Sequence, residues 1–150
     1  MKKFSIPFRV HSTGWLLVAL CISFGVMLDG PRLGLVFGLV MVASLLLHEG
    51  GHILAAVLLG VPVREFGLRI AGAYIRRARA ATLQDEVLIA ASGPLMNFCL
   101  ILPLSFVPVL GHHLAYGNLA LGLVNLLPLP ASDGMRILRA LRISNEAPSA

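Results

Sequence analysis

The stretch His48-Glu49-Gly50-Gly51-His52 places two histidines and one acid inside an apolar segment that extends from Leu33 to Val63. Glu49 is the only charged residue of that segment. On an α-helix, residues four positions apart share one face, so His48 and His52 can both direct an imidazole nitrogen toward one metal ion. Glu49 would lie beside that ion as a base. The stretch therefore predicts a metal site within a segment long enough to cross a membrane.

The composition is typical of an integral membrane protein. Apolar residues make up 57% of the 150 residues and charged residues 13%, with a mean hydropathy of +0.87. Soluble proteins carry about 25% charged residues. Because one helical span needs about 20 residues, the chain has room for roughly four spans and little room for a separate soluble domain. We expect a single membrane-embedded domain over residues 1–150, with the lipid bilayer as a partner and no nucleic acid.

Apolar segments predict an all-α integral membrane fold with about four transmembrane helices. The first two spans are separated by a charged turn from Asp29 to Arg32, because Gly30 and Pro31 favour a turn there. The second span is longer than about 20 residues, so it must tilt or be irregular, and Gly50 and Gly51 are a plausible weak point. A short helix is predicted over residues 135–143. The predicted spans cover about residues 12–28, 33–60, 87–110 and 113–130.

The positions of Lys and Arg predict the orientation in the membrane. Arg32 is the one cation in the connections that would lie outside. Under the positive-inside rule, both termini are cytosolic, and the expected location is the bacterial cytoplasmic membrane. The first span lacks a small-residue cleavage site after Leu28, so it is predicted to be retained. The cytosolic cations fall before the first span (Lys2, Lys3, Arg9), between the second and third (Arg64, Arg69, Arg76, Arg77, Arg79), and at the end of the chain (Arg136, Arg139, Arg142).

A catalytic zinc site commonly takes three protein ligands, so two histidines leave it incomplete. Depth in the bilayer separates the candidates for the third ligand. His48 lies about 22 Å along a helix from Leu33, and Asp133 lies equally far from Asn118 in a span that enters from the same side. Asp133 is therefore expected at a similar depth. Among the other candidates, Asp29, His112 and His113 are expected at the outer surface and His11 at the inner surface. The acids of the 61–81 connection are further candidates.

The backbone before Asp133 is predicted to be unwound, because Pro128, Pro130 and Gly134 disfavour a continuous helix. Non-helical backbone at membrane depth is tolerated where it lines a cavity or is buried by protein. This Pro/Gly segment of the fourth span is thus where a hydrated site can exist. The alternative is that Asp133 merely caps the last helix.

With these residues in place, the sequence resembles the site-2 protease family of intramembrane zinc metalloproteases over about residues 11 to 142. It departs from the family pattern at Ser132, where Leu is usual, and at Met135, where a second Gly is frequent. Neither departure removes a ligand. Three motifs carry the resemblance: HExxH (His48, Glu49, His52), N-x-x-P followed by an Asp-Gly pair (Asn125, Pro128, Asp133, Gly134), and Gly-Pro-x-x-Asn with its preceding serine (Ser92, Gly93, Pro94, Asn97).

The resemblance implies that His48, His52 and Asp133 bind one Zn²⁺ per chain and that Glu49 activates water. It also implies that the substrate is a transmembrane segment of another protein. The chain is similar to compact bacterial-type members, since it has no segment long enough for a PDZ or CBS domain. Control is then expected from a regulatory membrane partner, from trimming of the substrate by another protease, or from the stability of the substrate helix.

Asn125 and Asn97 are amides inside apolar segments, and both are predicted to bind substrate. Each can instead hydrogen-bond a neighbouring helix. Cys21 and Cys99 also lie in apolar segments, where a disulfide is not expected.

The connection over residues 61–81 is predicted to contain a small β-hairpin or an edge strand near the cytosolic face. Phe66, Leu68 and Ile70 alternate with smaller or charged residues, and Gly72 follows. An edge strand can capture an extended substrate by strand addition. The alternative is a basic connector that its arginines hold against anionic lipid.

The residues support the same chemistry without the family. Zinc lowers the pKa of a bound water to about 7, and Glu49 can accept the proton and pass it to the leaving amine. Two other classes remain: a metal-binding or metal-transporting membrane protein without proteolytic activity, and an inactive relative that binds transmembrane partners. A zincin with Glu65 as third ligand is disfavoured by its place in the basic connection. Other divalent metals suit the same ligands, and the oligomeric state is left open.

Overall fold

The computed structural model of the protein describes residues 6–70, 72–78 and 81–146. Lys2, Lys3 and Arg79, which contribute to the predicted orientation, lie outside the described residues, as does the side chain of Asp29. Helices dominate the described chain, and a small sheet lies beside them.

The first helix, α1, extends from Gly14 to Leu58 and is broken at Gly30, whose backbone has φ 77° and ψ 177°. A positive φ suits glycine, and Pro31 then fits the first turn of a new helix. The two arms, Gly14–Leu28 and Gly30–Leu58, fold back on each other. A Cβ on Gly25 would meet the carbonyl oxygen of Gly34, so these glycines permit close antiparallel packing of the two arms.

Three further helices complete the helical part. Helix α2 extends from Leu83 to Ser105, and its N-cap Thr82 accepts a hydrogen bond from the backbone N–H of Asp85 at 3.1 Å. Helix α3 covers Gly111–Leu126. Helix α4 covers Asp133–Glu146, a longer range than the predicted 135–143. The backbone between α3 and α4 is not helical.

Two of the described helices are long and apolar enough to cross a membrane. They are the second arm of α1, Gly30–Leu58, and α2, Leu83–Ser105, while the arm Gly14–Leu28 is apolar but shorter. Large apolar side chains cover the outside of the bundle, including Met27 and Phe106, which are 85% and 77% exposed. Soluble proteins rarely expose contiguous apolar surface on this scale, so the outside of the bundle suits lipid.

The sheet contains the hairpin predicted for the 61–81 connection. Strand β2, Val63–Arg69, pairs antiparallel with β3, Gly72–Arg77. An additional strand, β1, Phe8–Val10, pairs parallel with β2 and was not predicted. The order β1-β2-β3 makes β2 the central strand, so β1 and β3 form the two edges.

The expected weak point at Gly50 and Gly51 is wrong, because α1 is continuous there and Gly30 is its non-helical residue. The two glycines differ in their surroundings. A Cβ on Gly51 would lie 2.5 Å from the carbonyl oxygen of Ser92, whereas a Cβ on Gly50 would meet nothing within 4 Å. Gly51 therefore serves the close approach of α1 to α2.

Candidate metal centre

His48 and His52 lie one turn apart on α1, and Asp133 is the first residue of α4. The Oδ2 atom of Asp133 lies 3.1 Å from Nε2 of His48 and 3.2 Å from Nε2 of His52. The three residues are 4%, 2% and 5% exposed. The structure thus brings together the three side chains that the sequence proposed as ligands, from helices far apart in the sequence.

The distance from the carboxylate oxygen to each Nε2 atom fits a tetrahedral zinc site. Zinc binds imidazole nitrogen and carboxylate oxygen at about 2.0–2.2 Å, so two ligand atoms at a tetrahedral angle lie roughly 3.3 Å apart. The distances of 3.1 and 3.2 Å are close to that value. The ligand atoms of Glu49 also lie near, since one atom from each of His48, Glu49 and His52 fall within 4.8 Å of one another.

A hydrogen bond at Nδ1 of each imidazole determines which ring nitrogen carries the proton. The Nδ1 atom of His48 lies 2.6 Å from Oδ1 of Asn97, and Nδ1 of His52 lies 2.6 Å from the carbonyl oxygen of Ile89. Both partners are oxygens of a kind that only accepts, so each Nδ1 carries the hydrogen and donates. Each Nε2 then keeps its lone pair for a metal ion.

Asn97 also belongs to a buried hydrogen-bond network that connects three helices. Its Nδ2 donates to Oδ1 of Asn118 at 3.1 Å, and Nδ2 of Asn118 donates to Oγ of Ser44 at 3.1 Å. Asn97 and Asn118 have no exposed surface. Asn97 was expected to bind substrate. In the structure its side chain faces His48 and is covered by protein.

A cavity of about 540 Å³ opens beside the three side chains. Glu49 and Asn125 both line it, and so does most of strand β3. Asn125 is half-buried and donates one amide N–H to the carbonyl oxygen of Leu121 at 2.9 Å. A base and an amide therefore face the same space as the metal ligands and a sheet edge.

The alternative role of Asp133 as a helix cap is taken by its neighbour. Oγ of Ser132 accepts a hydrogen bond from the backbone N–H of Met135 at 3.1 Å, which caps α4. The departure from the family pattern at position 132 thus has a structural use. Asp133 follows as the first helical residue, and its Oδ1 accepts from Nη1 of Arg136 at 2.9 Å.

Gly93 leaves room for the imidazoles. A Cβ at this position would lie 2.7 Å from Nε2 of His48 and still closer to the ring of His52. Any side chain on Gly93 would therefore compete with a metal ion for the same space.

The remaining candidate ligands lie away from the centre. His11 lies in the sheet region, where its Nε2 is 2.9 Å from the hydroxyl of Tyr74, and His112 and His113 are exposed at the start of α3. Cys21 and Cys99 are free, as expected. None of these five side chains lines the cavity.

Glu65 belongs to the sheet, where it accepts a hydrogen bond from the Tyr74 hydroxyl at 2.6 Å. This hydrogen bond holds the pKa of Glu65 below its ordinary value, with a further contribution from nearby Arg9. The same bond raises the pKa of Tyr74. Glu65 is therefore engaged in the sheet, in agreement with its rejection as a third ligand.

Sequence reasoning missed four residues around the centre, although residue spacing could have indicated two of them, Ser44 and Arg136. Ser44 lies four residues before His48 on the same helical face, and Arg136 lies three residues after Asp133. Asn118 is a lone amide in an apolar segment. No local pattern connects Glu86 with the centre. These residues are Ser44, Glu86, Asn118 and Arg136.

Comparison with known proteins identifies the family of the chain. The model of peptidase family M50 matches residues 36–113, about half of the chain. The chain is 31% identical to the protein sll0528 of Synechocystis sp. over 92% of its own length and 42% of that protein. It is also 31% identical to the zinc metalloprotease MJ0392 of Methanocaldococcus jannaschii, over 93% of its own length and 44% of that protein. The chain thus spans less than half the length of these relatives.

A solved structure shows the same fold. The site-2 protease from Methanocaldococcus jannaschii superposes with a TM-score of 0.74 at 29% identity, covering 98% of this chain and 71% of that one. The family model covers His48, Glu49 and His52, and the two relatives and the solved structure each match more than nine tenths of the chain. The chain therefore belongs to peptidase family M50, the family of the site-2 proteases.

Proposed function

We propose that this protein is an intramembrane zinc metalloprotease that hydrolyses peptide bonds within or near transmembrane segments of other membrane proteins. The observation that carries the proposal is the meeting of His48, His52 and Asp133 beside a cavity lined by Glu49. One carboxylate oxygen lies at a tetrahedral spacing from each of the two Nε2 atoms, and a second carboxylate faces the same space. This is the ligand set and base of a hydrolytic zinc site.

In the proposed enzyme, His48, His52 and Asp133 hold the zinc ion, which when bound acidifies water and polarises the peptide carbonyl. Asn97 and the carbonyl of Ile89 keep both imidazoles in the tautomer that leaves Nε2 free to bind. We assign Asn97 to this positioning role rather than to substrate binding, because its amide faces His48 and is fully buried.

Glu49 acts as the general base and then as the general acid. Its carboxylate is half-buried at the cavity wall, next in sequence to one ligand and one turn from the other. From there it can take a proton from water as the peptide bond is attacked and return it to the leaving amine. A lone carboxylate inside an apolar segment is costly, which favours a role in function.

The substrate is proposed to bind as an extended segment along β3. Residues of β3 from Gly72 to Ile75 line the cavity, and β3 is an edge strand paired on one side with β2. A free strand edge can pair with an extended peptide through main-chain hydrogen bonds, and hydrolysis requires an unwound segment. Asn125, which lines the same cavity, is proposed to hold the substrate backbone or the developing oxyanion.

The proposed topology has four crossings and both termini in the cytosol. Pairing of β1 with β2 puts the N-terminal segment at the same end of the bundle as the 61–81 connection. Arg136 of α4 reaches Glu86 at the start of α2, which puts α4 at that end as well. Together with the hairpin of α1, these contacts support a chain that crosses the membrane outward and back twice. The non-helical segment after α3 then lies near the cytosolic side.

The decisive experiment compares wild type with Glu49→Gln, purified in detergent and tested against a panel of single-span substrates. Bound metal is measured in both proteins. The proposal expects about one zinc per chain in each, and cleavage by wild type alone. Metal without any Glu49-dependent cleavage would overturn the protease proposal in favour of metal binding or transport.

Strand capture is tested by disulfide cross-linking. A single cysteine is placed at Ile75 on β3, or at Val10 on the other sheet edge as the control, in a chain with Cys21 and Cys99 replaced by Ala and Glu49→Gln preventing cleavage. Substrates carry one cysteine near the cut site. We expect cross-links to position 75 and not to position 10. Equal cross-linking at both positions would refute capture by β3.

A further inference from the structure

Four charged side chains form a continuous chain from the sheet to the metal centre. Arg77 of β3 donates through Nη1 to Oε2 of Glu86 at 2.5 Å. The other carboxylate oxygen of Glu86, Oε1, accepts from Nε of Arg136 at 2.9 Å. Arg136 in turn donates through Nη1 to Oδ1 of Asp133 at 2.9 Å. Glu86 therefore connects two arginines that belong to different elements.

The geometry at Arg136 separates the two oxygens of Asp133. Because Nη1 of Arg136 takes Oδ1, the other oxygen, Oδ2, is turned toward Nε2 of both His48 and His52. The guanidinium is planar, so its Nε bond to Glu86 fixes where Nη1 points. Glu86 thus sets the plane of the group that orients the Asp133 carboxylate.

Burial makes this arrangement more specific than a surface ion pair. The side chains of Arg77, Glu86 and Arg136 are 21%, 20% and 27% exposed, and that of Asp133 is 7% exposed. Partly buried charges are screened less than exposed ones, and charge-assisted hydrogen bonds to Arg are directional. The two arginines also balance the two carboxylates in formal charge.

We propose that Glu86 is a positioning residue that holds the Asp133 carboxylate in its ligating orientation through Arg136, and holds β3 at the cavity through Arg77. The proposal rests on the proposed function, since it concerns the same metal centre. Glu86 does not line the cavity, and its carboxylate accepts hydrogen bonds from Arg77 and Arg136 rather than from the imidazoles. It acts on the centre through a second residue.

Loss of a group that hydrogen-bonds a metal ligand, as Arg136 does Asp133, commonly lowers metal affinity by about 10- to 100-fold. Glu86→Gln keeps the shape of the side chain but removes the charge that both arginines contact. Because Glu86 acts through Arg136, one hydrogen bond further from the ligand, we expect the zinc Kd of this variant to rise by about tenfold, the lower end of that range. Arg77→Gln should raise the KM for substrate while leaving the zinc Kd nearly unchanged, because the bond from Glu86 to Arg136 remains.

The test measures zinc affinity of the purified chain by competition with a chromophoric chelator, in wild type, Glu86→Gln and Asp85→Asn. Asp85 is the matched control, since it is the adjacent acid in the same helical turn and its substitution removes the same charge. Unfolding of the metal-free proteins is recorded in parallel. The expected result is weaker zinc binding by Glu86→Gln and unchanged binding by Asp85→Asn.

A second variant, Arg136→Lys, keeps the positive charge but lacks the fork that contacts Glu86 and Asp133 together. It should also bind zinc more weakly, and it decides the matter if Glu86→Gln does not fold. Wild-type zinc affinity in Glu86→Gln, an equal loss in Asp85→Asn, or a lower unfolding midpoint without a change in zinc Kd would each overturn the positioning role. A wild-type chain without zinc or cleavage would instead refute the proposed function itself.

Discussion

Gly51 and Gly50 form a matched pair for testing how closely α1 approaches α2. In Gly51→Ala, the new methyl group would lie 2.5 Å from the carbonyl oxygen of Ser92 and 3.2 Å from Cβ of Met96. Ordinary contact begins at 3.4 Å, so α1 and α2 must separate by about 0.9 Å. In Gly50→Ala, the methyl group meets nothing within 4 Å.

The free-energy difference between the variants isolates the cost of this crowding. Replacing Gly with Ala in a helix favours the helix by up to about 1 kcal/mol, and this gain is common to both variants. Crowding in a packed contact costs roughly 1–3 kcal/mol. Gly51→Ala is therefore expected to be less stable than Gly50→Ala by about 1–3 kcal/mol.

The assay is reversible unfolding in mixed detergent micelles, followed by far-ultraviolet circular dichroism, with both variants measured beside wild type. Zinc content provides a second readout, because Gly51 precedes His52, whose Nδ1 bonds to the carbonyl of Ile89 on α2. Separation of the helices should lengthen that bond and reduce bound zinc. Equal stabilities of the two variants, or a lower stability of Gly50→Ala, would refute the close contact of Gly51 with α2.

Three further substitutions probe separate parts of the structure. Gly93→Ala should lower zinc content measured by mass spectrometry, since its Cβ would lie 2.7 Å from Nε2 of His48; a full complement of zinc would contradict this. Ser132→Ala should lower the free energy of unfolding by about 1 kcal/mol through loss of the α4 cap, and an unchanged value would exclude the cap. Tyr74→Phe should raise the pKa of Glu65 toward its ordinary value, because the hydrogen bond that stabilises the charged carboxylate is lost; carbon-13 NMR titration showing no rise would count against that bond.

The proximity of His48, His52 and Asp133 could be predicted because it follows from residue spacing within single segments. Four-residue spacing sets the two imidazoles on one helical face, and residue counts along two segments put Asp133 at the same level. The turn at Gly30 was also predictable, since Gly followed by Pro interrupts a helix at a definite place. Both inferences need no knowledge of how helices pack.

Features that depend on packing direction were not accessible from the sequence. Strand β1 has three residues, too few for a clear alternating pattern, and its partner β2 is far along the chain. The sequence shows that Asn97 is an amide in an apolar span, but not that it faces His48. The contact of Glu86 with Arg136 likewise depends on how α2 and α4 pack against each other.

The central claim is that one zinc ion is held by side chains from α1 and α4. Zinc X-ray absorption spectroscopy of the purified protein tests it most directly, with wild type and Asp133→Ala compared. We predict nitrogen and oxygen neighbours at about 2.0–2.2 Å, two of them imidazoles, and loss of zinc or of one oxygen neighbour in Asp133→Ala. Sulfur neighbours at about 2.3 Å, or an unchanged spectrum and zinc content in Asp133→Ala, would contradict the account.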